Sequence, residues 1–154
     1  MASTSPSAVL RQRIEATVKS FLATFEDGSI QNDASIINRD VTDDCKRYIL
    51  PAPLRQAFGL PDDFFFDNAK FEEAFARDIG VLKFRNNILS DLVIDTEARR
   101  AAITAIAEVH EKTGEMYLSE SAWFLYFNEN GSKVEKVTEF CDKDAIVRMA
   151  QASA

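Results

Sequence analysis

Glu120 and Glu139 are the residues whose type and spacing best suit them to do chemistry together. Each lies in a run rich in aromatic and β-branched residues, Met116–Phe127 and Lys133–Asp142. Between the runs stands Asn128-Glu129-Asn130-Gly131, whose Asn-Gly pair is the strongest short hairpin signal. A two-residue turn at Asn130-Gly131 pairs Phe124 with Val137, Ala122 with Glu139 and Glu120 with Cys141. The carboxylates are then diagonal neighbours on one face, with Cβ atoms roughly 5–8 Å apart. Like charges at that distance, kept from water, raise the pKa of one partner, so such a pair supplies an acid and a base at the same pH. A slip of one residue would place them on opposite faces.

The preceding strands extend this pattern. Asn86–Ile94 and Arg100–His110 are strand-like and are followed by the turn segments Asp95-Thr96-Glu97-Ala98 and Lys112-Thr113-Gly114. Short hairpins at both align Asn86, Ala107, Glu120 and Cys141 in one row, with Ile88, Ala105, Ala122 and Glu139 in the next. Three alanines beside two carboxylates and an amide leave space above the sheet, where a sheet built only for packing carries larger apolar groups. The alternative is that long side chains fill the gap and the glutamates sit on its rim. His110 is the single histidine, a residue type suited to proton transfer, but it falls opposite Tyr117, on the face away from Glu120. Cys141 shares a row with Glu120 but has no histidine partner, so a nucleophilic thiol has little support.

These strands need elements to cover them. Leu10, Ile14, Val18, Phe21, Leu22 and Phe25 recur at helical spacing after Ser5-Pro6, and Asp27-Gly28 reads as the stop. A shorter helix follows from Asp33 to Asn38, and Cys45–Leu50 is a strand ended by Pro51-Ala52-Pro53. The segment Pro53–Phe66 reads as a loop. Asp67 or Asn68 caps a third helix with Phe71, Phe75, Ile79 and Leu82 on one face, and Gly80 weakens its last turn. Lys143–Ala150 forms a terminal helix. Helices first and then a run of strands is the α+β pattern, with helices on one face of a curved antiparallel sheet. The same register turns Trp123, Leu125 and Phe127 to the outer face, which a second copy of the chain would cover, giving a homodimer.

Composition narrows the function classes. With 154 residues, 46% of them apolar, the chain is sized for a single domain spanning 1–154. A net charge of −7 with scattered basic residues argues against nucleic-acid binding and against a polybasic membrane patch. No apolar run approaches membrane-spanning length, and Met1-Ala2-Ser3-Thr4-Ser5 lacks a signal-peptide pattern, so a cytoplasmic protein is expected. Cys45 and Cys141 are expected to be free thiols, and one histidine without a cysteine cluster gives no metal spacing.

Three segments carry a resemblance: Asp44-Cys45-Lys46-Arg47-Tyr48-Ile49-Leu50-Pro51, Glu120 with the aromatic strand Trp123–Phe127 and its Asn128–Gly131 turn, and Val137-Thr138-Glu139-Phe140-Cys141-Asp142. With the element order, from about Val9 to Ile146, the chain resembles the SnoaL-like branch of the cone-shaped nuclear transport factor 2-like fold. That branch includes small fungal isomerases and cyclases of polyketide and meroterpenoid biosynthesis. The resemblance implies catalysis without metal or organic cofactor. Relatives often carry a histidine where this chain has Arg47.

Isomerisation, cyclisation and dehydration of a carbonyl skeleton need a base, an acid and a group to hold the developing oxyanion. One of Glu120 and Glu139 is expected to be the base and the other the acid. Arg47 would hold the oxyanion, unless it forms a surface ion pair with Asp44. Asn86 would hydrogen-bond a carbonyl, with Tyr48 as a second donor. Strand alternation lets at most one of Arg47 and Tyr48 reach the site. Phe71, Phe75 and Cys141 complete the expected contacts to a hydrophobic, oxygenated substrate. The alternatives are a dehydratase of similar substrates and a non-catalytic dimerising or ligand-binding module, which a collapsed cavity would favour.

Overall fold

The structure, a computed structural model, describes residues 5–154; the leader-free reading of the first residues lies outside the described part. Helix α1, Pro6–Gln31, starts where Ser5 Oγ accepts from the backbone N–H of Ala8 and ends at Asn32 in the left-handed region. Its buried face carries Ile14, Val18, Phe21 and Leu22, as the periodicity requires. The helix does not stop at Asp27-Gly28. A Cβ on Gly28 would lie 2.7 Å from the Phe75 ring, so this glycine serves the close approach of a second helix.

A 3₁₀ turn at Ala34–Asn38, capped by Asp33, leads into β1, Val41–Leu50. The segment read as a loop contains a short helix, α2, Ala52–Ala57. Helix α3, Asn68–Ile79, is capped by Asp67. Gly80 is its C-cap, and Leu82 opens the next strand instead of extending the helix. The strands β2, Leu82–Asp95, β3, Arg100–Glu111, β4, Met116–Phe127, and β5, Val134–Phe140, follow, then α4, Lys143–Ser153, capped by Asp142.

One sheet runs in the order β1-β5-β4-β3-β2. The meander is antiparallel as expected, but β1 lies parallel to β5, so the sheet is mixed. Among the described residues, no helix is long and apolar enough to cross a membrane.

The expected register fails at three places. At the β4–β5 hairpin Phe127 pairs with Val134, as counting from Asn130-Gly131 requires, but Tyr126 pairs with Lys136. Glu135 is therefore an extra residue, and beyond this bulge every pair is shifted: Leu125 faces Val137, Trp123 faces Glu139 and Ala122 faces Phe140. The β3–β4 loop is closed by Glu111 and Glu115 with Gly114 at φ 92°, which sets Ala107 opposite Ser119 and Ile106 opposite Glu120. In β2 the pairing shifts twice, near Asn86 (φ 52°) and Asp91 (φ 59°).

The shift reverses which residues face the helices. Trp123, Leu125 and Phe127 are buried against α1 and its neighbours and do not form the outer face. The outer face instead exposes Ile88, Leu118, Phe124 and Phe140. Helix α1 locks the β4–β5 turn: Thr17 Oγ1 donates to the Gly131 carbonyl at 2.8 Å and Arg13 to that of Asn130 at 3.1 Å.

Candidate active site

Between the inner face of the sheet and the cover formed by α2, the 58–66 segment, α3 and α4 lies a cavity of about 440 Å³. Its roof is aromatic and aliphatic, with Leu54, Phe64, Phe66, Phe71 and Phe75. Its floor is the sheet, where Ala105 and Ala107 leave the room that larger side chains would take. The expectation of open space beside alanines holds for these two. Ala122 pairs with Phe140, in the set of β4 residues that point to the other side.

Glu139 lines this cavity and Glu120 does not. Alternation along β4 places Glu120, with its partner Ile106, on the exposed outer face, so the two carboxylates do not share a site. The extra residue at Glu135 is the cause. Glu139 is part of a smaller constellation. Ser121 Oγ donates to Glu139 Oε2 at 3.1 Å, and the Cys141 thiol donates to the Glu139 backbone carbonyl at 3.6 Å. Burial pushes the Glu139 carboxyl up to about 7, against the smaller pull of Ser121, Cys141 and the Arg47 charge. Burial and the neighbouring Glu139 raise the Cys141 thiol far above its usual range, so it is no nucleophile at neutral pH.

Arg47 points inward from β1 and is 2% exposed, so it is not a surface partner of Asp44. Its Nη2 donates to the Ile37 carbonyl at 2.8 Å, and its guanidinium lies 4.0 Å from the Phe71 ring centre and 5.2 Å from that of Phe21. Nε and Nη1 are buried without partners. Arg47 is not part of the cavity wall; Phe71, which is, stacks on it. Burial lowers its pKa to about 10, so it remains a cation at neutral pH and acts on Glu139 by charge.

Other expected contacts divide. Phe71, Phe75 and Cys141 line the cavity. Tyr48 faces away, 5.7 Å from the Phe65 ring with Lys136 Nζ 5.2 Å from its own. Asn86 is exposed and donates to Glu108 Oε2 at 3.0 Å, because the β2 bulge at this point brings Asn87 into the wall instead. Asn87 Nδ2 donates to the Leu22 carbonyl at 3.2 Å, and its buried Oδ1 has no partner. His110 pairs with Met116, bonds Glu108 at 2.8 Å and is not in the cavity wall.

Sequence reasoning missed Ser119, Ser121, Trp123 and Asp78, all in the wall. Asp78 was legible, since it follows Phe71 and Phe75 at helical spacing on α3; burial raises its carboxyl, partly offset by a Ser153 hydrogen bond. Among the described residues no group of histidine, cysteine and acidic side chains is arranged to hold a metal ion.

No family model matches the chain, and no curated protein matches its sequence. Solved structures do. The BvnE pinacolase of Penicillium brevicompactum superposes with a TM-score of 0.73 at 21% identity, over 93% of this chain and 95% of that one. An NTF2-like protein of Burkholderia pseudomallei gives a TM-score of 0.62 at 12% identity, over 89% and 96%. The fold is the nuclear transport factor 2-like cone. PrhC of Penicillium brasilianum shares the cone, with a TM-score of 0.73 at 19% identity over 93% and 89%. In this chain the cone's interior is the cavity that Glu139 lines.

Proposed function

We propose that this cone is a cofactor-independent isomerase or cyclase acting by general acid–base chemistry on a hydrophobic, oxygenated polyketide or meroterpenoid intermediate of fungal secondary metabolism. One observation carries the reading: the Glu139 carboxyl stands in an aromatic cavity with its pKa raised to about 7. A group titrating there is poised both to take a proton from a carbon next to a carbonyl and to return it. With Glu120 on the far side of the sheet, one carboxyl does both. Glu139 accepts the proton as an enolate forms, then delivers it to a second carbon, and the product has the mass of the substrate. The Arg47 cation behind Phe71 favours the ionised carboxylate that starts the cycle. The open cavity favours this enzyme reading over a purely dimerising module, and the likeness to a Penicillium pinacolase supports a biosynthetic enzyme role.

The test is incubation in D₂O with oxygenated polyketide and meroterpenoid intermediates, followed by mass spectrometry. An isobaric product, or solvent deuterium incorporated at carbon, that disappears in E139Q supports the reading. Loss of water would make the protein a dehydratase. Unchanged turnover in E139Q overturns the assignment of Glu139.

We also propose a homodimer through the outer sheet face. The original grounds, Trp123, Leu125 and Phe127, are buried within the chain. Ile88 at 63%, Leu118 at 50% and Phe140 at 48% exposure take their place as an apolar surface on that face.

A further inference from the structure

The polar groups of the cavity fall into two sets. Glu139 and Ser121 form one, already joined by a hydrogen bond. Two residues along β4 on the same face stands Ser119, 8% exposed and in the cavity wall, and none of the side-chain hydrogen bonds among the described residues involves its hydroxyl. Ala107 is directly opposite Ser119, and the β2 bulge that carries Asn87 lies opposite Ala107. Asn87 cannot turn its amide at no cost, because Nδ2 is bound to the Leu22 carbonyl; its unpartnered Oδ1 therefore remains an acceptor. Ser119 presents a hydroxyl without a protein partner to the cavity, the Asn87 amide oxygen is buried without one, and the alanine between them leaves space. A buried acceptor left in this state is costly unless something satisfies it. A sheet floor serving packing alone would carry an apolar residue in place of Ser119.

We infer that Ser119, with Asn87 across Ala107, is a second polar station that binds a hydroxyl or carbonyl oxygen of the substrate at the end remote from the reacting carbon. Same-face residues on a strand repeat at about 7 Å, so this oxygen lies roughly that far beyond the one handled at Glu139 and Ser121. The substrate class narrows accordingly, to a flat or polycyclic apolar molecule oxygenated at two ends. The inference rests on the reading of the cavity as the substrate site.

Calorimetric titration of the full chain with 2-naphthol and 2,6-dihydroxynaphthalene tests it, because the second probe adds only a remote hydroxyl. The wild type is expected to bind the dihydroxy probe about 5–10-fold more tightly, the worth of one hydrogen bond. S119A removes that difference and leaves 2-naphthol binding unchanged. E139Q weakens both probes alike. Equal binding of the two probes by the wild type, an equal loss for both in S119A, or no binding of either overturns the second station. If the E139Q effect is intact when the Ser119 effect is absent, only the station fails; if S119A behaves as expected while E139Q changes nothing, the station stands and the role of Glu139 fails.

Discussion

The Ser121 hydroxyl donates to Glu139 Oε2 across 3.1 Å, from the strand next to the one that carries the glutamate. Hydrogen bonds to a carboxylate favour its charged form, yet burial outweighs this bond and the Arg47 charge together. The carboxyl is left near neutrality, where a proton-transfer group is most effective. S121A removes the bond and raises the Glu139 pKa further. The pH dependence of kcat/KM should then shift to higher pH, and an unshifted profile would show that Ser121 does not act on Glu139.

Stability should carry the same signature. Between 4.5, the ordinary value, and about 7 the unfolded chain has released the Glu139 proton while the folded chain keeps it. Folding stability is therefore lost as pH rises through this window, and the loss is complete above it. The shift corresponds to about 3 kcal/mol. E139Q carries no such penalty and should be more stable than wild type at pH 8, with a flatter pH dependence; chemical denaturation at pH 5 and pH 8 measures both.

Arg47 is predicted to act through Glu139, from behind Phe71. Its guanidinium is held by Ile37 and by the rings of Phe21 and Phe71, with the Nε and Nη1 nitrogens unpartnered. Replacing a buried cation by an apolar side chain of similar length can be neutral for stability. R47M should fold, bind hydrophobic probes and show its acidic limb displaced to higher pH. A purely structural arginine would lower stability and leave the profile in place.

Gly28→Ala should destabilise the fold although alanine is the better helix former. The added carbon meets the Phe75 ring at 2.7 Å, and overpacking of this kind costs about 1–3 kcal/mol. Because Phe75 is in the cavity wall, the same substitution should also weaken probe binding. Thermal melts and probe titration report the two effects separately.

How much was legible follows from these particulars. Helical periodicity and capping residues located α1 and α3, since Ser5 and Asp67 each accept a backbone N–H where the sequence places a cap, and the terminal helix α4 starts at Lys143 as read. The strands were legible from their composition, and the β4–β5 register was right at Phe127 and Val134. One extra residue at Glu135 then moved Glu120 out of the site and Trp123 into it. A bulge adds one residue to one strand of a pair, and hydrophobic alternation carries little trace of it. The substitution of Asn87 for Asn86 has the same origin in β2. Glu139, Phe71, Phe75 and Cys141 line the cavity, Glu139 in a shifted register with Trp123 and not Ala122 as its partner. Ser119 and Ser121 enter the wall only in the shifted register, and Asp78 is legible on α3 by its spacing from Phe71 and Phe75.

The most direct test is the titration of the Glu139 side-chain carboxyl by carbon NMR in protein labelled at glutamate, assigned by the resonance missing in E139Q. A midpoint near 7 is expected, against the ordinary value of 4.5. A midpoint near 4.5 would mean that the carboxyl is solvated and not poised for proton transfer, and would contradict the assignment of this cavity as an acid–base site.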